Sequence, residues 1–112
     1  KVKMTTDIKA ASQLLLQRAV AYSTIYNYDE AINDLNDYLT IDSMSELAYW
    51  QRAVCLSMVK NYDSQNNSGV NMMLAKSIYD FKKAIDIDKD NAYLYYDLAN
   101  VYSIYQLVVI QD

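Results

Sequence analysis

Leu15-Leu-Gln-Arg18-Ala19-Val-Ala-Tyr22, Tyr49-Trp-Gln-Arg52-Ala53-Val-Cys-Leu56 and Tyr95-Tyr-Asp-Leu98-Ala99-Asn-Val-Tyr102 are three versions of one eight-residue pattern. Each sets a large residue, a long side chain three places on, an alanine beside it, and another large residue three places further. Ala19 and Ala53 stand 34 residues apart, and Ala53 and Ala99 stand 46 apart, which is one period plus 12 inserted residues. A second pattern follows the first. Ala31-Ile-Asn-Asp-Leu35-Asn-Asp-Tyr38-Leu39-Thr-Ile41-Asp42 superposes on Ser77-Ile-Tyr-Asp-Phe81-Lys-Lys-Ala84-Ile85-Asp-Ile87-Asp88. Tyr22 to Leu35 spans 13 residues and Leu56 to Phe81 spans 25, so the insertion falls in the second unit, near 61–73.

Composition sets the class of structure that carries these repeats. The chain has 112 residues, 53% apolar and 21% charged, the size of one small domain. One Gly and no Pro leave too few turn residues for hairpins, which points to an all-α fold. Apolar residues recur at three and four, as in Leu15, Ala19, Tyr22 and Tyr26, or Ala31, Leu35, Tyr38 and Leu39. Start signals separate the periodic stretches: Asp29, the capping box Ser43-Met-Ser-Glu46, and Asp90-Asn91. Ser68-Gly69 reads as the clearest break. Together they predict five helices over 8–26, 29–41, 45–60, 71–88 and 91–108.

Several functions are excluded by what is missing. Without His, neither a Ser-His-Asp triad nor a His-bearing zinc site can be built. A net charge of −4 offers no footprint for nucleic acid. The longest apolar run, Leu107 to Ile110, is far short of a membrane span. Neither the single Cys nor the start at Lys1, which lacks a basic-then-apolar leader, assigns a compartment. No carboxylate pair, activated nucleophile or phosphate loop converges, so no catalytic residue, cofactor or metal is expected.

Over residues 11–105 the double pattern resembles the tetratricopeptide repeat, a large residue, Leu-Gly, Tyr, then Ala-x3-Phe and Pro. Here Ala19, Ala53 and Ala99 stand for the Gly, Arg18 and Arg52 for the Leu, and Ser43 and Lys89 for the Pro. Tyr28-Asp-Glu-Ala31-Ile is close to the family pattern. The resemblance implies a right-handed α-solenoid of antiparallel helix pairs. Residues 1–10 form a tail and the start of the first helix, 11–44 unit one, 45–90 unit two with its insertion, and 91–112 the first helix of a third unit or a cap.

The resemblance also implies a function: a non-catalytic scaffold that holds a peptide or partner segment in a concave groove lined by the first helix of each unit. Counted from each alanine, the lining is Gln13, Leu16, Gln17, Val20 and Thr24, then Leu47, Trp50, Gln51, Val54 and Met58, then Tyr93, Tyr96, Asp97, Asn100 and Ile104. One subtype of the family grips a C-terminal carboxylate with Lys, Asn and Arg. Those places hold Leu16, Val20, Gln51, Tyr93 and Asp97, so that clamp is absent. The strip instead suits apolar anchors, with amides for a bound backbone. The alternative is a structural spacer or self-assembly module, self-associating through the C-terminal helix if Leu98, Val101, Tyr102, Tyr105 and Val108 stay bare.

Plainer roles compete for the same residues. Trp50 and Tyr96 serve packing between units as readily as ligand contact. Tyr49 and Tyr95 are expected in the core, and Arg18 and Arg52 beside Asp34, Asp37 or Asp80. Cys55 reads as a small hydrophobe in the seam. Asp86-Ile-Asp88-Lys-Asp90-Asn91, with Asp97 twelfth, mimics a calcium loop but lacks its Gly and its Glu, and is expected to be a solvated turn. The insertion is expected as a surface loop that lengthens the next helix backwards, with Met72 and Met73 packed on the body. Asn66-Asn-Ser68 is a sequon only in a glycosylating host.

Overall fold

A computed structural model describes residues 2–59 and 68–111, with side chains over 7–59 and 72–106. Five helices account for almost all of it: α1 (Val2–Thr24), α2 (Tyr28–Ile41), α3 (Glu46–Met58), α4 (Ser68–Ile87) and α5 (Ala92–Gln111). The fold is all-α, as the near absence of Gly and Pro requires. Of the insertion expected as a surface loop near 61–73, residues 61–67 lie outside the described residues, and with them Asn66 and Asn67 of the sequon.

Helix ends depart from the expected positions for local reasons. α1 stops at Thr24 because Tyr26 takes φ 66°, a left-handed turn that lets the Asn27 N–H donate to Tyr22 O at 2.8 Å. At its other end α1 runs back to Val2 rather than starting near residue 8, since nothing in that stretch breaks a helix. The cap of α3 is Ser45, whose hydroxyl accepts the Ala48 N–H at 3.1 Å. Ser43 therefore caps nothing, and Glu46, in the first turn, accepts from Asn91 Nδ2 at 2.9 Å instead of reaching back. Ser68-Gly69 opens α4 rather than breaking the chain. The helix thus begins six residues ahead of Leu74, the counterpart of Tyr28.

The repeat is visible in hydrogen bonds as well as in spacing. Arg18 donates through Nε and Nη2 to both carboxylate oxygens of Asp34, at 2.8 and 2.7 Å. Arg52 does the same to Asp80, at 2.7 and 2.8 Å. Asp37, the third candidate, is not a direct partner of either Arg. The linkers repeat too: Asp42 accepts the Met44 N–H and Asp88 the Asp90 N–H. The Tyr49 hydroxyl donates to Ser43 O at 3.0 Å, and the Tyr95 hydroxyl donates to Lys89 O at 3.1 Å.

These pairs also give the helix directions. Arg18 and Asp34 lie equally far from the α1–α2 turn, so the two helices run antiparallel. Glu46 to Asn91, and then Trp50 to Asp97, advance together along α3 and α5, so those two run parallel. Each helix packs on the next, α1 also reaches α3, and α3 reaches α5. Among the described residues α1 does not touch α5, nor α2 touch α4. The molecule measures 54 × 32 × 20 Å.

Two apolar clusters fill the seams, one around Ala19, Ala31, Leu35 and Cys55, the other around Ala53, Phe81, Ala84 and Leu94. Fully burying a side chain such as Leu35 or Phe81 contributes about 1.5–3 kcal/mol. Ala19 and Ala53 are buried at helix crossings, and Ser77 Oγ donates to Ala53 O at 2.7 Å, which fixes how closely α4 approaches. Ala99 differs: it is exposed, because among the described residues no helix covers α5 as α2 covers α1 and α4 covers α3.

The end helix corrects several expectations. Tyr95 is 48% exposed and so not core, whereas Tyr49 is half-buried. Val101 is buried, and Leu98 and Tyr105 pack on the second cluster, so they are not bare. Tyr102 is 41% exposed, while the side chain of Val108 lies outside the described residues. Met72 points to solvent, and only Met73 is half-buried.

Candidate functional site

The lining positions sit on α1, α3 and α5, the three helices that neighbour one another in sequence order. None of them is buried. On α1, Gln13, Gln17 and Val20 are exposed and Leu16 is half-buried against the first cluster. Thr24 is exposed, its hydroxyl donating to Val20 O at 2.8 Å and so occupied within the helix. On α3, Leu47 and Met58 are exposed while Trp50, Gln51 and Val54 are half-buried, Val54 leaning on the second cluster. On α5, Tyr93, Tyr96, Asn100 and Ile104 are exposed, and Tyr96 leaves 67% of its surface in water.

One contact within this set escaped the sequence reading. Trp50 Nε1 donates to Asp97 Oδ2 at 2.9 Å, joining α3 to α5 across the lining. The signal was present: an indole N–H that is half-buried needs an acceptor, and Asp97 stands one place after the counterpart of Trp50 in the next unit. The consequence is chemical. Asp97, the only charged lining residue, has one carboxylate oxygen tied to the indole, and the rest of the strip is mostly rings, aliphatic chains and amides.

Trp50 and Tyr96 occupy equivalent places with different surroundings. Trp50 is tied to Asp97, whereas Tyr96 lies open. Asp86 lies on α4 and Asp97 on α5, so the calcium-like spacing is split between two helices. Among the described residues no three His, Cys, Asp or Glu side chains gather as a metal site, and no helix is long and apolar enough to cross a membrane. Cys55 is fully buried, and burial pushes its thiol up to about 11, away from thiolate chemistry. Asp34 and Asp80 hold the guanidinium groups of Arg18 and Arg52 protonated, raised above their ordinary range first of all by the hydrogen bond to each carboxylate.

An open cleft of about 640 Å³ lies elsewhere, beside Ala11, Leu14 and Arg18 of α1. Leu14 is 65% exposed there, while its counterparts Ala48 and Leu94 are buried. The difference follows from the packing: α2 and α4 cover this face on α3 and α5, and among the described residues no helix covers it on α1. No protein-family model, curated protein or solved structure matches the chain.

Proposed function

We propose that the chain is a non-catalytic scaffold of the tetratricopeptide-repeat type, a right-handed α-solenoid that holds an extended peptide or partner helix against α1, α3 and α5. The observation that carries the reading is the state of the lining: the three first helices α1, α3 and α5 keep Val20, Leu47, Met58, Tyr93 and Tyr96 exposed at corresponding positions, with Trp50 half-buried among them. Exposed aromatics beside amides are the groups that make hot spots, and Trp50 with Tyr96 is their centre. Asp97, tied to the Trp50 indole, is the one carboxylate in the strip and disfavours an acidic segment, so partner choice rests on apolar anchors.

The test is selection of peptides from a displayed random library on the 112-residue chain, followed by titration of those peptides against Trp50→Phe and Tyr96→Ala. The reading expects peptides with apolar anchors, and a loss of about 1–4 kcal/mol in affinity when both rings are altered, with helix content unchanged. Selected peptides that bind both variants as tightly as the parent would refute the groove. A second reading, a spacer or self-assembly module, is favoured by one observation, the open face of α5 at Tyr95, Ala99 and Tyr102. Sedimentation over a range of concentrations separates the two, since a groove binder stays monomeric.

A further inference from the structure

Of the carboxylates that join one helix to another, Asp34 and Asp80 meet an Arg and Asp97 does not. Asp97 is half-buried on α5, and its Oδ2 accepts from a neutral donor, the Trp50 indole N–H, at 2.9 Å. A carboxylate has about four acceptor positions on its two oxygens, so one indole satisfies part of it and neutralises none of its charge. Among the described residues no Lys or Arg pairs with Asp97. The sequence of α5 holds no basic residue, and the only one on α3, Arg52, is committed to Asp80 and Asn36.

Rings stand on both sides of this carboxylate. Tyr93 lies one turn before it on the same face of α5 and is 72% exposed, while Trp50 reaches it from α3. Elsewhere the chain's own cations already sit over rings: Arg18 over Tyr22, Arg52 over Tyr49, Lys82 over Tyr102 and Lys83 over Tyr79, all at 5.7–5.9 Å. Among the described residues no cation sits over Trp50 or Tyr93. A carboxylate between two such rings suits a cation on an apolar stem, since the stem packs on the rings while the head reaches the oxygen.

We infer that Asp97 is the specificity-determining residue of the lining, and that the peptide held there carries a Lys or Arg whose head pairs with the second carboxylate oxygen, Oδ1, and whose stem lies against Tyr93 and Trp50. The inference rests on the reading of α1, α3 and α5 as a peptide groove, and adds one cation to the apolar anchors. Charge complementarity favours the same partner at longer range. The chain carries a net charge of −4, and Glu46, one turn before Trp50 and tied to the neutral Asn91 amide, adds to the local negative field from outside the lining. The short contact at Asp97 then fixes the register of the bound segment.

Displayed random peptides are selected in parallel on the 112-residue chain, on Asp97→Asn and on Asp37→Asn. Asp97→Asn keeps an oxygen for the Trp50 indole and removes the charge, whereas Asp37→Asn removes the same charge from an exposed position of α2, outside the lining. Selection on the parent and on Asp37→Asn should enrich one Lys or Arg beside apolar anchors, and selection on Asp97→Asn should not. One selected peptide, made with its basic residue and with norleucine in its place, is then titrated against all three chains by fluorescence anisotropy. Norleucine should weaken binding to the parent about tenfold and to Asp97→Asn by less than about twofold, because the two changes remove the same contact. Three results would overturn the assignment: peptides with no basic enrichment, enrichment that persists on Asp97→Asn, or an equal norleucine penalty on the parent and Asp97→Asn. If such peptides still lose affinity on Tyr96→Ala, the groove stands and the role of Asp97 falls alone. If they do not, or if no peptide is selected, the groove falls and this assignment with it.

Discussion

Removing Asp80 is the sharpest probe of the seam between α3 and α4. Its carboxylate is buried and accepts two charge-assisted bonds from Arg52, which also donates through Nη1 to Asn36 at 3.0 Å. Asp80→Ala leaves a guanidinium side chain only 21% exposed, with its main partner gone. Breaking a buried pair on one side costs about 3–5 kcal/mol, and the remaining water access with the Asn36 bond puts this case at the lower end, about 3 kcal/mol. That is a large share of the roughly 5–15 kcal/mol typical of a domain. Asp34→Ala is the matched control, because Arg18 is 59% exposed and turns to water when its partner is lost. Its cost should be clearly smaller. Replacing both partners, Arg52→Leu with Asp80→Leu, should recover most of the loss, as α5 already carries Leu98 at that place. Urea unfolding followed by helical circular dichroism reads all four proteins. The reasoning fails if Asp34→Ala is as damaging as Asp80→Ala, or if the double leucine variant is no better than Asp80→Ala.

Other expectations are smaller. Trp50→Phe keeps a ring but forfeits the bond to Asp97, and should lower stability by about 1 kcal/mol in the same urea assay. Ser45→Ala removes the α3 cap and should also cost about 1 kcal/mol, while Ser43→Ala should be silent. Cys55 should resist thiol reagents in the folded chain and react at once in denaturant. Because burial raises its thiol from 9.0 to about 11, the folded chain keeps a proton that the unfolded chain releases, so this group makes stability fall as pH rises through that window. Cys55→Ala should therefore show a shallower decline between those values than the parent.

What the sequence made legible was whatever repeats. Apolar spacing and start signals located the five helices, and the repeat picked out Ala19, Ala53 and the two Arg residues with Asp34 and Asp80 among their candidate partners, because each is a demand that one helix places on its neighbour. Local signals were weaker where two candidates stood close together. Ser43 and Ser45 both suit a cap, and the choice fell to Ser45 because Ser43 lies in the linker whose carbonyl receives the Tyr49 hydroxyl. The backward extension of α1 left no trace, since a helix with no cap and no breaker can begin anywhere. Tyr95 was misplaced for a different reason: pattern gives the role of a residue within a pair, and among the described residues no second helix covers α5 as α2 covers α1. In the candidate site, the lining followed from counting along the first helices, but the Trp50–Asp97 bond required knowing that α3 and α5 lie side by side.

The open, sequential stacking of first helices is tested most directly by spin-label distances in a Cys55→Ala background. Labels at Gln17 and Asn100 report α1 to α5, and labels at Leu47 and Tyr93 report α3 to α5. With neighbouring axes about 8–10 Å apart, the account predicts that the α1–α5 separation is about twice that of α3–α5. Equal separations would mean that the helices close on themselves, leaving neither a lining nor a free end face.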